Sequence, residues 1–171
     1  MSDMDDMAGI SLADLADVDI SGIDEVRFEL IPMGVYVFEV VEADMVEGTN
    51  KDGDKRFGSE IAVKIIEVKS VLEAGVDKDS LVGKVITDKQ FATPIKPDDV
   101  SIEAAKARFA KELGRIKATV ADMGGDVTGG GIVSVVQNLR GTTFTGKVAH
   151  QTDRDDKSVK YARLRLEAAK H

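Results

Sequence analysis

The sequence predicts a mostly β domain with one long helix inserted between its third and fourth strands. Three observations carry that expectation. Apolar residues alternate in long runs over 35–46, 57–68 and 81–91, a helical stripe follows over 102–123, and alternation returns from Leu139 onward. At 171 residues the chain suits one well-buried domain plus an extension.

The extension is the opening stretch, MSDMDDMAGISLADLADVDISGIDE. It carries eight acids (Asp3, Asp5, Asp6, Asp14, Asp17, Asp19, Asp24 and Glu25) and no Lys or Arg. Removing those eight from the 31 acidic residues of the chain leaves 23, equal to its 23 Lys and Arg. The net charge of −8 therefore sits wholly in residues 1–25, ahead of a neutral body spanning 26–171. Uniform acidity would argue against a nucleic-acid partner; a neutral body with a segregated acidic arm does not. Within the arm, Ser11 and Asp14 fit a capping box. Leu12, Leu15, Val18 and Ile20 give a short helix one apolar edge. A flexible, solubilising arm is the competing expectation.

The first strand is read in PMGVYVFEVVEADMV, with Tyr36, Phe38 and Val40 set against Val35, Val37 and Val41 and both faces largely buried. EGTNKDGDKR follows, and its Asp-Gly marks a turn. FGSEIAVKIIEV is the second strand, with Ile61, Val63 and Ile65 on one face and Lys64 on the other. LVGKVITDKQF is the third. Apolar residues then fall at Ile102, Ala105, Phe109, Leu113, Ile116, Val120 and Met123, one stripe of a 3.6-residue helix. Ser101 caps its start and Gly124-Gly125 ends it. Gly114 inside it costs about 1 kcal/mol relative to Ala, which so long a stripe absorbs. Ile132, Val135, Val136 and Leu139 suggest a second short helix, and a hairpin over RGTTFTGKVAH, QTDRDDKS and VKYARLRLEAA closes the chain.

Three strands, a helix and two strands is the order of a five-stranded Greek-key barrel of the oligonucleotide-binding (OB) type. Gly34, Gly58, Gly83, Gly141 and Gly146 sit where such strands begin or bend. An open α+β sheet with one helix across it is the alternative.

Catalytic constellations are sparse, and no enzyme activity is expected. The chain has no Cys and two His, His150 and His171, so neither disulfides nor a zinc site is expected. NKDGDK has Lys55 where a calcium loop needs Gly, and no Glu at its twelfth place. TGGG lacks the Gly-Lys-Ser/Thr of a phosphate loop. Asp155 and Asp156 are adjacent at a loop tip, where a solvated surface is the plainer reading. No metal or other cofactor is expected. No apolar run approaches 18 residues and no basic-then-apolar leader opens the chain, so neither a membrane span nor secretion is expected.

Cations and aromatics are distributed more suggestively. Lys51, Lys55, Arg56 and Phe57 enter the second strand. His150, Arg154, Lys157, Lys160, Tyr161 and Arg163 lie along the final hairpin. In an OB barrel both groups flank the face around strands two and three, which adds Lys64, Lys89 and Phe91. Bases stack on aromatic faces for about 1–3 kcal/mol each while cations follow the phosphates. The same loops carry Asp52, Asp54, Asp153, Asp155 and Asp156, and mixed charge is also how ordinary surfaces look. Phe38, Phe109, Tyr36 and Phe144 are read as core.

Together, Pro32-x-Gly34-x-Tyr36 opening the first strand, Gly83-Lys84 entering the third and Leu139-x-Gly141-x-x-Phe144 entering the fourth resemble the small phage single-stranded DNA-binding proteins with an OB fold. The resemblance spans about residues 31–168, and the order of its motifs carries more than any one of them. It implies sequence-tolerant coating of single-stranded DNA in phage replication, recombination or repair, in the host cytoplasm. Such proteins commonly carry an acidic, partner-recruiting tail at the C-terminus; here the acids lie at the front. The arm is therefore expected either to compete with DNA for the basic face or to be offered to replication or recombination proteins. An oligomer is compatible with the composition. The other expectation, from a different class, is a protein–protein adaptor built on the same barrel.

Overall fold

The computed structural model describes residues 9–19, 21 and 30–166. Expectations for Asp3, Asp5, Asp6, Ile20, Asp24, Glu25 and His171 lie outside the described residues. A short helix, α1 (Leu12–Ala16), carries the expected capping box. The Ser11 hydroxyl accepts from the Asp14 amide, and the Asp14 carboxylate accepts from the Ser11 amide. No α1 side chain is buried.

The alternating Val and Ile runs form two long strands, β1 (Gly34–Thr49) and β2 (Lys55–Val71), joined at an Asn50–Asp54 turn. Asn50 Oδ1 accepts from the Asp52 and Asp54 amides, both at 2.9 Å, and Gly53 takes φ +84°. β3 (Val85–Ala92), β4 (Thr143–Thr152) and β5 (Lys160–Arg165) complete one antiparallel sheet in the order β3-β2-β1-β4-β5. Between β3 and β4 lie α2 (Ile102–Asp122) and α3 (Ile132–Gln137). The element order is the expected one. The sheet itself is not closed: β3 and β5 approach each other but form no ladder.

The β1–β2 ladder is interrupted three times. Lys69 and Ile66 are extra on β2, and Val41 is extra on β1. Each extra residue bends the ribbon and reverses which alternate side chains face inward. On β1 the inward set therefore runs 34, 36, 38, 40 and then resumes at Ala43 and Met45. The doubly apolar pattern read in the sequence is in part this change of parity.

Tyr36, Phe38, Val40, Ile61, Val63 and Ile65 meet Ile116, Val120 and Met123 of the α2 region, Val136 and Leu139 near α3, and Phe144, Val148 and Leu164 of the last hairpin. Phe38 lies opposite Phe144, their rings stacked at 5.4 Å. Ser101 Oγ accepts from the Ala104 amide at 3.1 Å, as expected of the cap. At the other end the Gly125 amide reaches Val120 O and the Gly124 amide Ala121 O, with Gly124 at φ +88°, a Schellman stop. The apolar stripe of α2 is not buried throughout. Ala105, Ile116 and Val120 are buried, Phe109 and Leu113 are half-buried, and Ile102 is exposed.

Two clasps hold the periphery. Ahead of β1, the carbonyls of Ile31, Pro32 and Met33 are paired in turn with His150 Nε2 (2.8 Å), the Tyr36 hydroxyl (2.5 Å) and the Leu72 amide (3.0 Å). Beyond β3, Arg108 grips Asp99 through Nε (3.0 Å) and Nη2 (2.9 Å), bonds Glu112, and donates to the carbonyls of Thr93 (2.6 Å) and Pro94 (3.4 Å). That hydrogen bonding holds the Asp99 carboxyl below its ordinary range and raises the Arg108 guanidinium.

Two outcomes follow. A Cβ on Gly34 would lie 2.2 Å from the Ser70 carbonyl oxygen, so Gly34→Ala lowers stability by about 3 kcal/mol, on the order of 10 °C in thermal melts. A depressed Asp99 value means the clasp is fully present above the ordinary carboxylate pKa and is lost as pH falls through the lowered one. The Lys96 amide, 2.7 Å from Asp99 Oδ2, reports this by NMR with a midpoint below 3.8. A midpoint at or above that value contradicts the clasp.

Candidate nucleic-acid interface

Because β2 begins at Lys55, strand alternation divides the cations and aromatics that the sequence groups together. Lys55 and Phe57 share the helix side. Lys55 Nζ lies 2.8 Å from Glu47 and 5.5 Å from the Phe57 centroid, and the Phe57 ring tilts against Phe109 at 6.4 Å. Arg56 faces the other way. Its guanidinium carbon lies 3.8 Å from the Phe91 centroid, and Phe91 is opposite Gly58. A Cβ on Gly58 would stand 2.8 Å from the ring, so the glycine lets Phe91 lie across the β2 backbone. Lys51 stands exposed at the turn.

The outer face between these residues is acidic. Glu42, Asp44 and Glu60 line a hollow of about 280 Å³ with Val46, Ala62, Thr87 and Lys89. Lys89 pairs with Glu60 at 3.5 Å and Arg140 with Asp44 at 3.0 Å. Lys64 lies past this hollow, opposite Val85. The face around β2 and β3 is therefore not one continuous cationic surface.

On the last hairpin, His150 turns to the Ile31 carbonyl and serves the clasp described above. Arg154 and Lys157 are exposed at the tip, and Lys160 pairs with Thr152 at the start of β5. Asp153 organises the tip by accepting from the Asp155 and Asp156 amides and from the Tyr161 hydroxyl at 2.5 Å. The bond from Tyr161 is the main reason the Asp153 carboxyl lies below its ordinary range, and it raises the phenol in turn. Tyr161, Arg163 and Arg165 alternate onto one face of β5, where Arg163 donates to Gln151 at 2.5 Å.

The facing edges of β3 and β5 bring the two groups together. Lys89 and Thr87 meet Tyr161, Arg163 and Gln151 around a hollow of about 260 Å³. Beside it, Phe91, Arg115, Arg163 and Arg165 line a cleft of about 530 Å³ with Asp88, Glu112 and Asp122. Glu112 is bonded to Arg108, and Asp88 accepts from Gln90 at 3.2 Å. The structure thus brings Lys89, Phe91 and Tyr161 to one seam, while Arg56 lies outside both hollows and is joined to them only through the Phe91 ring. It sets Lys51, Lys55, Phe57, Lys64, His150, Arg154, Lys157 and Lys160 outside the two hollows. Arg115 and Arg165 were missed. The Arg-x-Arg of Arg163 and Arg165 in a period-two strand was a readable signal for one; only the turn of α2 toward β5 places the other.

Among the described residues no cluster of His, Asp and Glu is placed to hold a metal ion, and no helix is long and apolar enough to cross a membrane. No protein-family model and no curated protein sequence matches this chain, which leaves its own residues as the ground for a functional reading.

Proposed function

We propose that the chain is a non-catalytic single-stranded DNA-binding protein whose strand lies along the β3–β5 seam. The observation that carries the reading is the convergence there of Lys89, Arg115, Arg163 and Arg165 with Phe91 and Tyr161, which stay 40% and 51% exposed, with Arg56 stacked on the Phe91 ring. Stacking and phosphate contact are the two interactions that unpaired strands offer. A base can stack on the Arg56 plane already seated on Phe91, and on the open face of Tyr161, while Arg163 and Arg165 follow the phosphates. The acids of the cleft turn the phosphate path toward the β5 wall.

An OB-type barrel is part of the same reading. The order β3-β2-β1-β4-β5, with its helix between β3 and β4, is that of such a barrel opened along one join, and β3 approaches β5 at that join. Together with the resemblance to phage single-stranded DNA-binding proteins, this supports coating of DNA in phage replication, recombination or repair in the host cytoplasm. The acidic arm would then recruit partner proteins. The second reading, a protein–protein adaptor, is favoured by exposed Ile95, Val100 and Ile102.

Titration of a labelled oligonucleotide at several salt concentrations separates the two. Contact with about five phosphates gives a slope of about −3.5 in log K against log salt, and replacing Arg163 and Arg165 by Ala reduces its magnitude by about 1.4. An unchanged slope removes the seam as the site, and absence of salt-dependent binding by the parent protein favours the adaptor. Gly58→Ala displaces Phe91 and weakens binding by about tenfold while the melting temperature barely moves, as expected for a stacking platform worth about 1–3 kcal/mol per base.

A further inference from the structure

We infer that the first half of α2 carries a docking groove for the acidic arm of a second copy of this chain. The groove, about 460 Å³, is lined by Pro94, Ile95, Ile102, Ala105 and Phe109, with Lys96 and Lys106 at its rim. Ile95 and Ile102 are 72% and 70% exposed, and neighbouring Val100 is 92% exposed. These residues are not on a loose loop. The Arg108 clasp fixes the 93–99 segment through Asp99 and the carbonyls of Thr93 and Pro94, so the apolar surface is rigidly presented. Asp99 is committed to Arg108, which leaves Lys96 and Lys106 to set the sign of the groove.

The arm has the complementary chemistry. Ile10, Leu12, Leu15 and Val18 are all exposed, Leu12 by 83%. Asp14, Asp17 and Asp19 are interleaved with them. A five-residue helix does not hold itself together in water, so its capping box defines a shape whose packing must come from elsewhere. Apolar edge against apolar groove, with Asp set against Lys, supplies that packing.

Chain length favours a second copy over the same one. The groove adjoins Phe57, which pairs with Glu47 near the far end of β1; from Gly34 that is about 43 Å along the strand, and less in a straight line because the bulges bend it. A chain of twelve residues, the length of 19–30, spans about 20 Å on average, so the same copy would have to hold that stretch well extended. Exchange of arms between two copies needs no such extension and closes with two-fold symmetry.

Sedimentation velocity on the full chain over a wide concentration range tests this. The parent associates into dimers. Leu12→Asp with Leu15→Asp, or Ile102→Asp alone, weakens association by at least about tenfold, while at concentrations where the parent is monomeric the melting temperature is unchanged, as their exposure requires. A mixture of the arm variant and the groove variant recovers association, because each supplies the half that the other lacks. The chain has no Cys, so Leu15→Cys in one copy and Ile102→Cys in another report the contact directly as an interchain disulfide. A parent that stays monomeric, a mixture that fails to recover, or a doubly substituted Cys chain that forms only intrachain links overturns the inference.

Discussion

A strand of 16 residues paired to one of 17 would, if regular, form a nearly straight ribbon on the order of 50 Å long. Such a ribbon cannot enclose a core, and its outermost partners would stand far apart. The extra residues at Lys69, Ile66 and Val41 prevent this. Each adds twist, and each shifts the inward set by one so that the apolar residues stay on the concave side through the bend. β1 then serves both halves of the sheet, pairing β4 along Gly34–Glu39 and β2 along its whole length. With β1 bent, β3 and β5 come round to face each other, and α2 settles beside the gap, tied to β3 by Gln90 Nε2 donating to Thr119 Oγ1 at 2.5 Å. The cleft is a consequence of those three residues.

This explains which parts of the fold were legible. Strand existence, the helix and its caps depend on local chemistry, and Ser101, Gly124 and the Asn50–Asp54 turn do in the structure what their types favour. Bulges are not local in that sense. Val40 and Val41 are chemically alike, and nothing in either says which is the extra residue; the register of a distant partner decides. The same holds for α2, whose stripe is continuous in sequence yet is exposed at Ile102 and half-buried at Phe109 and Leu113. Phe109 was read as core and instead shares the edge of a groove with Ile102.

The candidate site was legible in composition and not in placement. Lys55, Arg56 and Phe57 look like one cluster when the segment is taken as a loop entering a strand. Once Lys55 is itself in β2, the period of two sends Phe57 to the helix and leaves Arg56 alone on the outer face. His150 sits among cations in the sequence but is held by a backbone carbonyl. Arg115 was invisible because its neighbours on α2 are charged and unremarkable; it matters only through β5, some fifty residues away in sequence.

Helix α2 is where the two proposed surfaces meet. Its first turns line the apolar groove, and its later turns, with Glu112 and Arg115, wall the cleft. Arg108 lies between them and bonds to both sides, to Asp99 and the 93–94 carbonyls at the groove and to Glu112 at the cleft. That bond offsets much of the repulsion Glu112 would otherwise exert on a phosphate chain, since a carboxylate paired with a guanidinium projects a weaker field than a lone one. One cation therefore stiffens the groove and lowers the negative potential of the cleft. An acidic arm seated at the groove would stay clear of the β5 wall, so arm exchange and strand binding make no competing demand on the same side chains.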